Sequence, residues 1–173
     1  TKALTILVKT LGENHSNTAI NYSNLGASYQ SKGEYDKAIE HYTKALAIKL
    51  ATVEENHPNI AKSYNNLGLI YQSKSEYDKA IEYHTQALEI KLATLGENHP
   101  DTATSYNNLG VSYNNKGEYD KAIEYHTKAL GIDLKTLGEN HPDTAISYSN
   151  LGAAYHSKGE YDKAIEHYTK TLG

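Results

Sequence analysis

Residues 99–140 read HPDTATSYNNLGVSYNNKGEYDKAIEYHTKALGIDLKTLGEN, and the rest of the 173-residue chain repeats this stretch with small changes. The pair Asn-His recurs every 42 residues, at 14/15, 56/57, 98/99 and 140/141. A period of this length is typical of arrays in which one supersecondary unit stacks on the next. The sequence therefore predicts a repeat protein rather than a domain with one closed core.

Alignment of the copies divides the chain into four repeats that form one continuous solenoid domain. We place these repeats at 15–56, 57–98, 99–140 and 141–173, and we assign 1–14 to the second half of a preceding repeat's helix B. The helix B of the fourth repeat is expected to be truncated at Gly173. Because the chain starts with Thr1 in mid-repeat, we expect it to be a piece of a longer protein.

Each repeat is predicted to contain two amphipathic helices. Helix A, at about 100–115, is indicated by apolar and small residues at the spacing of a single helical stripe, namely Tyr106, Leu109, Gly110 and Tyr113. Helix B, at about 119–137, has its buried side marked by Ala122, Ile123, Ala129, Leu130 and Leu134. Since one hairpin cannot bury its stripe alone, we expect an all-α, right-handed α-solenoid of stacked antiparallel helix pairs.

The turn between the two helices is predicted to need a left-handed residue. Gly117 occupies this place in repeat 3, and glycine adopts positive φ at little cost. Repeat 2 has Ser75 there, which we expect to cost about 1 kcal/mol. Gly110 and Ala122 are small, which indicates that helices A and B cross closely.

The run Tyr106-x-x-Leu109-Gly110-x-x-Tyr113, followed by Gly117-x-Tyr119, Ala122 and Ala129-Leu130, resembles the tetratricopeptide repeat. The long helix B and the LGENHP linker make each unit similar to the 42-residue repeats of kinesin light chains. The resemblance implies a non-enzymatic interaction module that binds an extended or helical peptide in a concave groove lined by the A helices.

Composition narrows the choice of partners. All 17 basic residues are lysine and the net charge is −4, which argues against nucleic acid, because phosphate binding needs clustered positive charge. No stretch approaches the length of about 20 apolar residues that crosses a bilayer, so we expect no membrane partner. The chain has no cysteine, which fits a cytoplasmic protein.

A comparison of repeats 3 and 4 predicts where a ligand would bind. Residues 99–131 and 141–173 differ at nine of 33 positions, and five of these lie on one face of helix A, opposite the core stripe. This stripe is almost uncharged, whereas an exposed helix face usually carries Lys and Glu. Either this stripe lines the ligand groove, or it is simply exposed and its residues vary without functional constraint. The groove residues would be Ile20, Ser23, Asn24, Ala27, Gln30, Lys62, Asn65, Asn66, Leu69, Gln72, Thr104, Asn107, Asn108, Val111, Asn114, Asn115, Ile146, Ser149, Asn150, Ala153 and His156.

One asparagine recurs in every unit, at Asn24, Asn66, Asn108 and Asn150. A row of side-chain amides can hydrogen-bond an extended ligand backbone without reading its sequence, as a similarly placed asparagine ladder does in some tetratricopeptide superhelices. The alternative is that each asparagine bonds the neighbouring A helix.

The nine histidines fall into distinct positions. One histidine precedes the start of each helix A, at His15, His57, His99 and His141, and their separation of about 10 Å argues against a shared metal ion and favours a capping or turn role. His84 and His126 fall on the core side of helix B, where repeats 1 and 4 have tyrosine. If these imidazoles are buried, their pKa values are lowered, and stability should fall as the pH drops through the unfolded value of about 6.5.

No catalytic constellation, cofactor motif or metal-ligand pattern is visible in the sequence. A competing structural role follows from the last repeat, where Ile165 and Leu172 would lack part of their neighbours. In that reading the array associates head to tail through its ends, and such a heterologous contact does not close on itself.

Overall fold

The computed structural model describes residues 2–12, 15–52 and 57–171, and within these ranges the chain contains helices and no strands. The helices are α1 (Lys2–Leu11), α2 (Ser16–Ser31), α3 (Tyr35–Thr52), α4 (Pro58–Ser73), α5 (Tyr77–Leu95), α6 (Pro100–Lys116), α7 (Tyr119–Thr136), α8 (Pro142–Lys158) and α9 (Tyr161–Lys170). The even-numbered helices are the A helices, and α3, α5, α7 and α9 are the B helices. Leu172 and Gly173 lie outside the described residues.

Helices pack in the order of the chain. Each A helix contacts the B helix of its own repeat and the B helix before it, and α6 also contacts both α4 and α8. The predicted all-α solenoid of stacked helix pairs is confirmed. No helix in the described ranges has the length and apolarity to span a membrane.

Histidine caps the start of every A helix. The Nδ1 atoms of His15, His57 and His99 each accept a hydrogen bond from the backbone N–H two residues later at 3.1 Å, and His141 does so at 3.2 Å. This bond satisfies one of the N–H groups that a helix start leaves without an intrahelical partner. The predicted capping role is confirmed.

The turn from helix A to helix B has the predicted backbone. Gly117 and Gly159 both have φ of 87° and Gly33 has φ of 73°. Ser75 has φ of 60°, and it is the one non-glycine residue with positive φ in the part of the chain that the structure describes. The strain predicted at this serine is therefore present in the backbone.

Helices A and B cross where glycine meets a ring. A Cβ atom added to Gly110 would lie 2.6 Å from Cε1 of His126, and one added to Gly26 would lie 2.9 Å from the ring of Tyr42. Atoms this close would clash, so the glycine makes room for the ring. The close crossing predicted from Gly110 is confirmed.

Each B helix carries two consecutive rings, and the first of the two stacks on a tyrosine of helix A. Tyr125 stacks on Tyr113 with ring centroids 5.4 Å apart, and His41 stacks on Tyr29 at 5.2 Å. Repeats 1 and 4 have the order His-Tyr, so histidine stacks on helix A and tyrosine lies beneath the glycine. Repeats 2 and 3 have the order Tyr-His, so the two rings exchange these places. The register predicted for His84 and His126 is correct.

The prediction that Leu134 is buried is wrong. Leu134 is 37% exposed, whereas its neighbour Asp133 is only 3% exposed. Eleven residues make about three helical turns, so position 133 stays on the stripe of Ala122 while position 134 rotates away by about 100°. Helical register, rather than the apolarity of leucine, decides which residue faces inward.

Ion pairs connect neighbouring repeats along the outside of the A–B turns. Lys74 lies 2.6 Å from Asp36, Lys116 lies 2.7 Å from Asp78, and Lys158 lies 2.8 Å from Asp120. Each lysine also pairs with a glutamate of its own repeat, which is Glu76, Glu118 or Glu160. These carboxylates raise the pKa of each lysine.

Candidate functional site

A cavity of about 290 Å³ opens between α6 and α8, the A helices of repeats 3 and 4. Part of its lining was predicted from the sequence, namely Thr104, Asn107, Asn108, Val111, Ile146 and Asn150. The rest was not, namely Pro100, Asp101, Asp133 and Asp143. The structure thus brings six of the predicted groove residues together around one opening.

A second cavity, of about 320 Å³, lies one repeat earlier, beside α4, α5 and the start of α6. Lys62 and Asn65 are the predicted groove residues in its lining, which also includes Pro58, Asn59, Ala61, Lys91, Thr94, Leu95 and Asp101. The remaining predicted residues line neither of these two cavities. They are Ile20, Ser23, Asn24, Ala27, Gln30, Asn66, Leu69, Gln72, Asn114, Asn115, Ser149, Ala153 and His156.

Asn107 does not lie on a free face of helix A. Its Nδ2 donates to Ser147 Oγ at 2.7 Å, and its Oδ1 lies 2.9 Å from His126 Nδ1, which donates to it in the Nδ1–H tautomer. The same pairing of types, Asn65 with His84, recurs in repeat 2, while Ser23 and Ser149 accompany Tyr42 and Tyr168. The change from Asn107 to Ser149 thus accompanies the change of ring beneath the glycine, although Asn65 in repeat 2 makes no hydrogen bond with His84.

The recurring asparagine bonds a neighbouring A helix in one repeat. Asn108 Nδ2 donates to Asn65 Oδ1 at 2.7 Å, across the boundary between α6 and α4. Asn66 and Asn150 are half-buried, and Asn24 is exposed. For Asn108 the structure thus favours the alternative in which the amide holds two helices together.

His84 and His126 are buried imidazoles, each 1% exposed. Burial lowers the pKa of each to about 4, because the charged form loses its hydration. His126 has Asn107 as a partner, whereas neither ring nitrogen of His84 has a hydrogen-bond partner among the described residues. Both imidazoles are therefore neutral core residues at pH 7.

In repeats 1 to 3, helix B places one charged residue beneath the surface formed by the A helices, and we call this layer the floor of the A-helix surface. Lys49, Lys91 and Asp133 occupy equivalent positions in repeats 1, 2 and 3, and each contacts the following A helix. The charge changes from positive at Lys49 and Lys91 to negative at Asp133, and a comparison of repeats 3 and 4 ends at Gly131, before this position. Alignment of repeats 1 to 3 alone would have revealed it.

The family model of the tetratricopeptide repeat matches residues 1–51, 29–93, 59–135 and 101–173. The chain belongs to the tetratricopeptide repeat family. This repeat is a scaffold fold without a catalytic centre of its own, and tetratricopeptide repeats generally bind protein partners.

Solved tetratricopeptide structures with long repeats are similar to this chain. A putative kinesin light chain from Podosopora anserina, described as having nearly identical TPR-like repeats, superposes with a TM-score of 0.87 at 27% identity. That match covers 99% of this chain and 81% of the other. BtubC (BKLC) from P. vanneervenii matches at 32% identity and a TM-score of 0.82, over 90% of this chain and 62% of the other.

A more distant structure, MamA, matches with a TM-score of 0.70 at 26% identity, over 99% of this chain and 84% of the other. No curated protein sequence matches this chain. The resemblance to tetratricopeptide repeats of the kinesin-light-chain type, stated above from the residues, is confirmed.

Proposed function

We propose that this tetratricopeptide repeat chain is an interaction scaffold that binds a peptide segment of a partner protein along the surface formed by α2, α4, α6 and α8. The observation that carries the proposal is the cavity between α6 and α8, because it is lined by side chains from two successive A helices. A ligand seated there contacts two repeats at once, which is how a stacked array offers an extended binding surface.

The lining of this cavity suits a peptide. Ile146 is 55% exposed and, with Val111, provides apolar contact area. Asn150 lies beside them, and its side-chain amide offers both a donor and an acceptor to a peptide backbone, whereas the amide of Asn108 already donates to Asn65. This combination supports a segment that is recognised by its backbone and by one or two apolar side chains.

A matched pair of substitutions tests the proposal. Ile146→Lys places a charge on the cavity lining, whereas Ile165→Lys places the same charge on α9, away from the cavity, at a residue that is 63% exposed. Purified variants would be applied to an array of overlapping peptides from proteins of the native source. We expect Ile146→Lys to abolish binding and Ile165→Lys to retain it. Equal binding by both variants would contradict the groove.

A second candidate function, head-to-tail self-association, is favoured by the surface of α9. Ile165 is exposed, although Ile81 and Ile123, at the same place in repeats 2 and 3, are half-buried. Covering such a residue with the end of a second copy would bury apolar area. We expect light scattering to show a mass that rises with concentration and that Ile165→Lys returns to one chain. A constant mass for the unmodified chain would reject this candidate.

We further propose that the role is non-catalytic and cytoplasmic and involves neither nucleic acid nor a membrane. The net charge of −4, the absence of arginine and the absence of cysteine support this assignment. Fluorescence polarisation with labelled single- and double-stranded DNA and RNA tests the exclusion of nucleic acid, and we expect no binding in 150 mM salt.

A further inference from the structure

The floor of the A-helix surface changes sign along the array. Lys49 Nζ donates to Ser63 Oγ at 2.7 Å, and Lys91 Nζ donates to the backbone oxygen of Asp101 at 2.8 Å. At the equivalent position in repeat 3, Asp133 Oδ2 accepts from Ser147 Oγ at 2.6 Å. Each of these equivalent residues thus contacts the following A helix, although not through the same group, while the charge changes from positive to negative at Asp133.

Asp133 is a buried carboxylate that feels opposite effects from two neighbouring groups, since Asp143 raises its pKa and His141 lowers it. The hydrogen bond from Ser147 is the one that reaches it from the described residues, and none of their lysines or histidines forms an ion pair with it. Burial raises the pKa of Asp133, because the ionised form loses its hydration. A buried charge is destabilising unless a partner offsets it, and Asp133 lines the cavity between α6 and α8, so a cationic group of a ligand placed there would offset part of that cost.

The two cavities therefore differ in charge. The cavity between α6 and α8 is lined by Asp101, Asp133 and Asp143 and by no lysine. The preceding cavity has two lysines, Lys62 and Lys91, and one aspartate, Asp101, in its lining. Because burial lowers the pKa of Lys91, a carboxylate at that cavity would stabilise its charged form. Within the described ranges, the three aspartates do not converge into a group that could hold a metal ion.

We infer that the segment bound by this chain carries a basic side chain at the cavity between α6 and α8 and an acidic side chain at the preceding cavity. This inference rests on the proposed function and adds the polarity of the ligand. Successive A helices lie about 10 Å apart and an extended chain advances about 3.3 Å per residue, so the two side chains are separated by about three residues. Because a peptide backbone is directional, only one order of the two charges places both at their cavities while keeping the same backbone contacts.

An array of synthetic peptides tests the polarity directly. Dodecapeptides of alanine and valine would carry one Glu and one Lys, separated by one to six residues, in both orders. We expect the unmodified chain to bind best at a separation of about three residues. One order should bind about fivefold more tightly than the other, the ratio expected of a single ion pair worth about 1 kcal/mol.

The variant that decides the question is Lys91→Asp with Asp133→Lys. It keeps the composition and the net charge of the chain and reverses only the polarity of the floor. We expect it to prefer the opposite order of Glu and Lys. Asp133→Lys alone provides a second variant, because the same backbone position already carries lysine at Lys49 and Lys91. This single variant should lose the preference for the Lys-containing half of the peptide.

The outcomes separate this inference from the proposed function. If the exchanged variant keeps the order preferred by the unmodified chain, or if neither order is preferred, the polarity is wrong. The groove still stands in that case, provided that Ile146→Lys abolishes binding. If the unmodified chain binds no peptide of any composition, both the groove and its polarity are wrong. Circular dichroism and thermal melting of each variant confirm that a loss of binding is not a loss of fold.

Discussion

The imidazole of His84 lies directly beneath Gly68, so that a Cβ atom on that glycine would be 2.6 Å from Cε1 of the ring. Gly110 and His126 stand in the same relation in the next repeat. In each hairpin, the missing side chain of helix A leaves the space that a ring of helix B fills. This single contact sets how closely the two helices can approach.

Gly110→Ala should destabilise the protein, although alanine is the better helix former. The new methyl group would overlap the ring of His126, and overpacking of this kind costs about 1–3 kcal/mol. We expect a lower urea midpoint with an unchanged slope.

Gly131→Ala is the matched control for that prediction. Gly131 is also helical, but nothing lies within 4 Å of the place where its Cβ would be. Here the gain in helix propensity acts alone, and we expect stability to rise by about 0.5–1 kcal/mol. If the two substitutions have the same effect, the ring does not set the approach of the helices.

Stability should fall as the pH drops from 7.5 to 5.5. The pKa of His84 and of His126 is about 4 in the folded chain, below the unfolded value of about 6.5. The unfolded state therefore binds protons first, so the stabilisation is complete above about pH 6.5 and is lost as the pH falls towards 4. Between pH 7.5 and 5.5 the loss is about 1 kcal/mol for each histidine.

The control for this pH dependence uses the residues that repeat 1 already has. Asn65→Ser with His84→Tyr recreates the pair Ser23 and Tyr42, and Asn107→Ser with His126→Tyr does the same in repeat 3. We expect the fourfold variant to lose most of the pH dependence of its melting temperature between pH 7.5 and 5.5. An identical dependence in both proteins would show that these histidines are not responsible.

Ser75→Gly should stabilise the second repeat. Ser75 has φ of 60°, a backbone conformation that costs a residue with a Cβ atom about 1 kcal/mol. The reverse change, Gly117→Ser, should cost a similar amount at the equivalent turn, where φ is 87°. Chemical denaturation of both variants measures the two effects, and a loss of stability on Ser75→Gly would contradict this explanation.

Asp133→Asn should raise the stability of the unliganded protein at pH 7. The folded chain raises the pKa of this carboxyl, so ionisation opposes folding above that pKa and ceases to do so as the pH falls. An amide oxygen can still accept the hydrogen bond from Ser147. We expect a gain of about 1 kcal/mol at pH 7 that shrinks at pH 4, measured by urea denaturation. A loss at pH 7 would indicate that the charge is compensated.

The features that the sequence predicts correctly are local or follow from helical register. The histidine caps, the left-handed turn at Ser75 and the burial of His84 each depend on residues within one hairpin. A single repeat contains all the information that these features need. For the same reason, the family could be recognised from one unit and confirmed by the other three.

The features that the sequence does not predict depend on contacts between repeats. Asn107 lines the cavity between α6 and α8, but it also bonds His126 of its own hairpin and Ser147 of the next, and a helical wheel of one helix does not show these contacts. Asp133 becomes part of the A-helix surface only because α8 packs over the end of α7. Neither relation can be read from a single unit, because the neighbour supplies half of the environment.

The stack of Tyr125 on Tyr113 is complete within one hairpin, whereas the ion pair between Lys116 and Asp78 joins two hairpins at their exposed rim. Cohesion inside each unit therefore comes from packed rings, and part of the cohesion between units comes from charges that salt screens. High ionic strength should weaken this rim contribution alone, because apolar contacts such as that of Leu130 with Tyr148 and Leu151 also join neighbouring repeats and are not screened by salt.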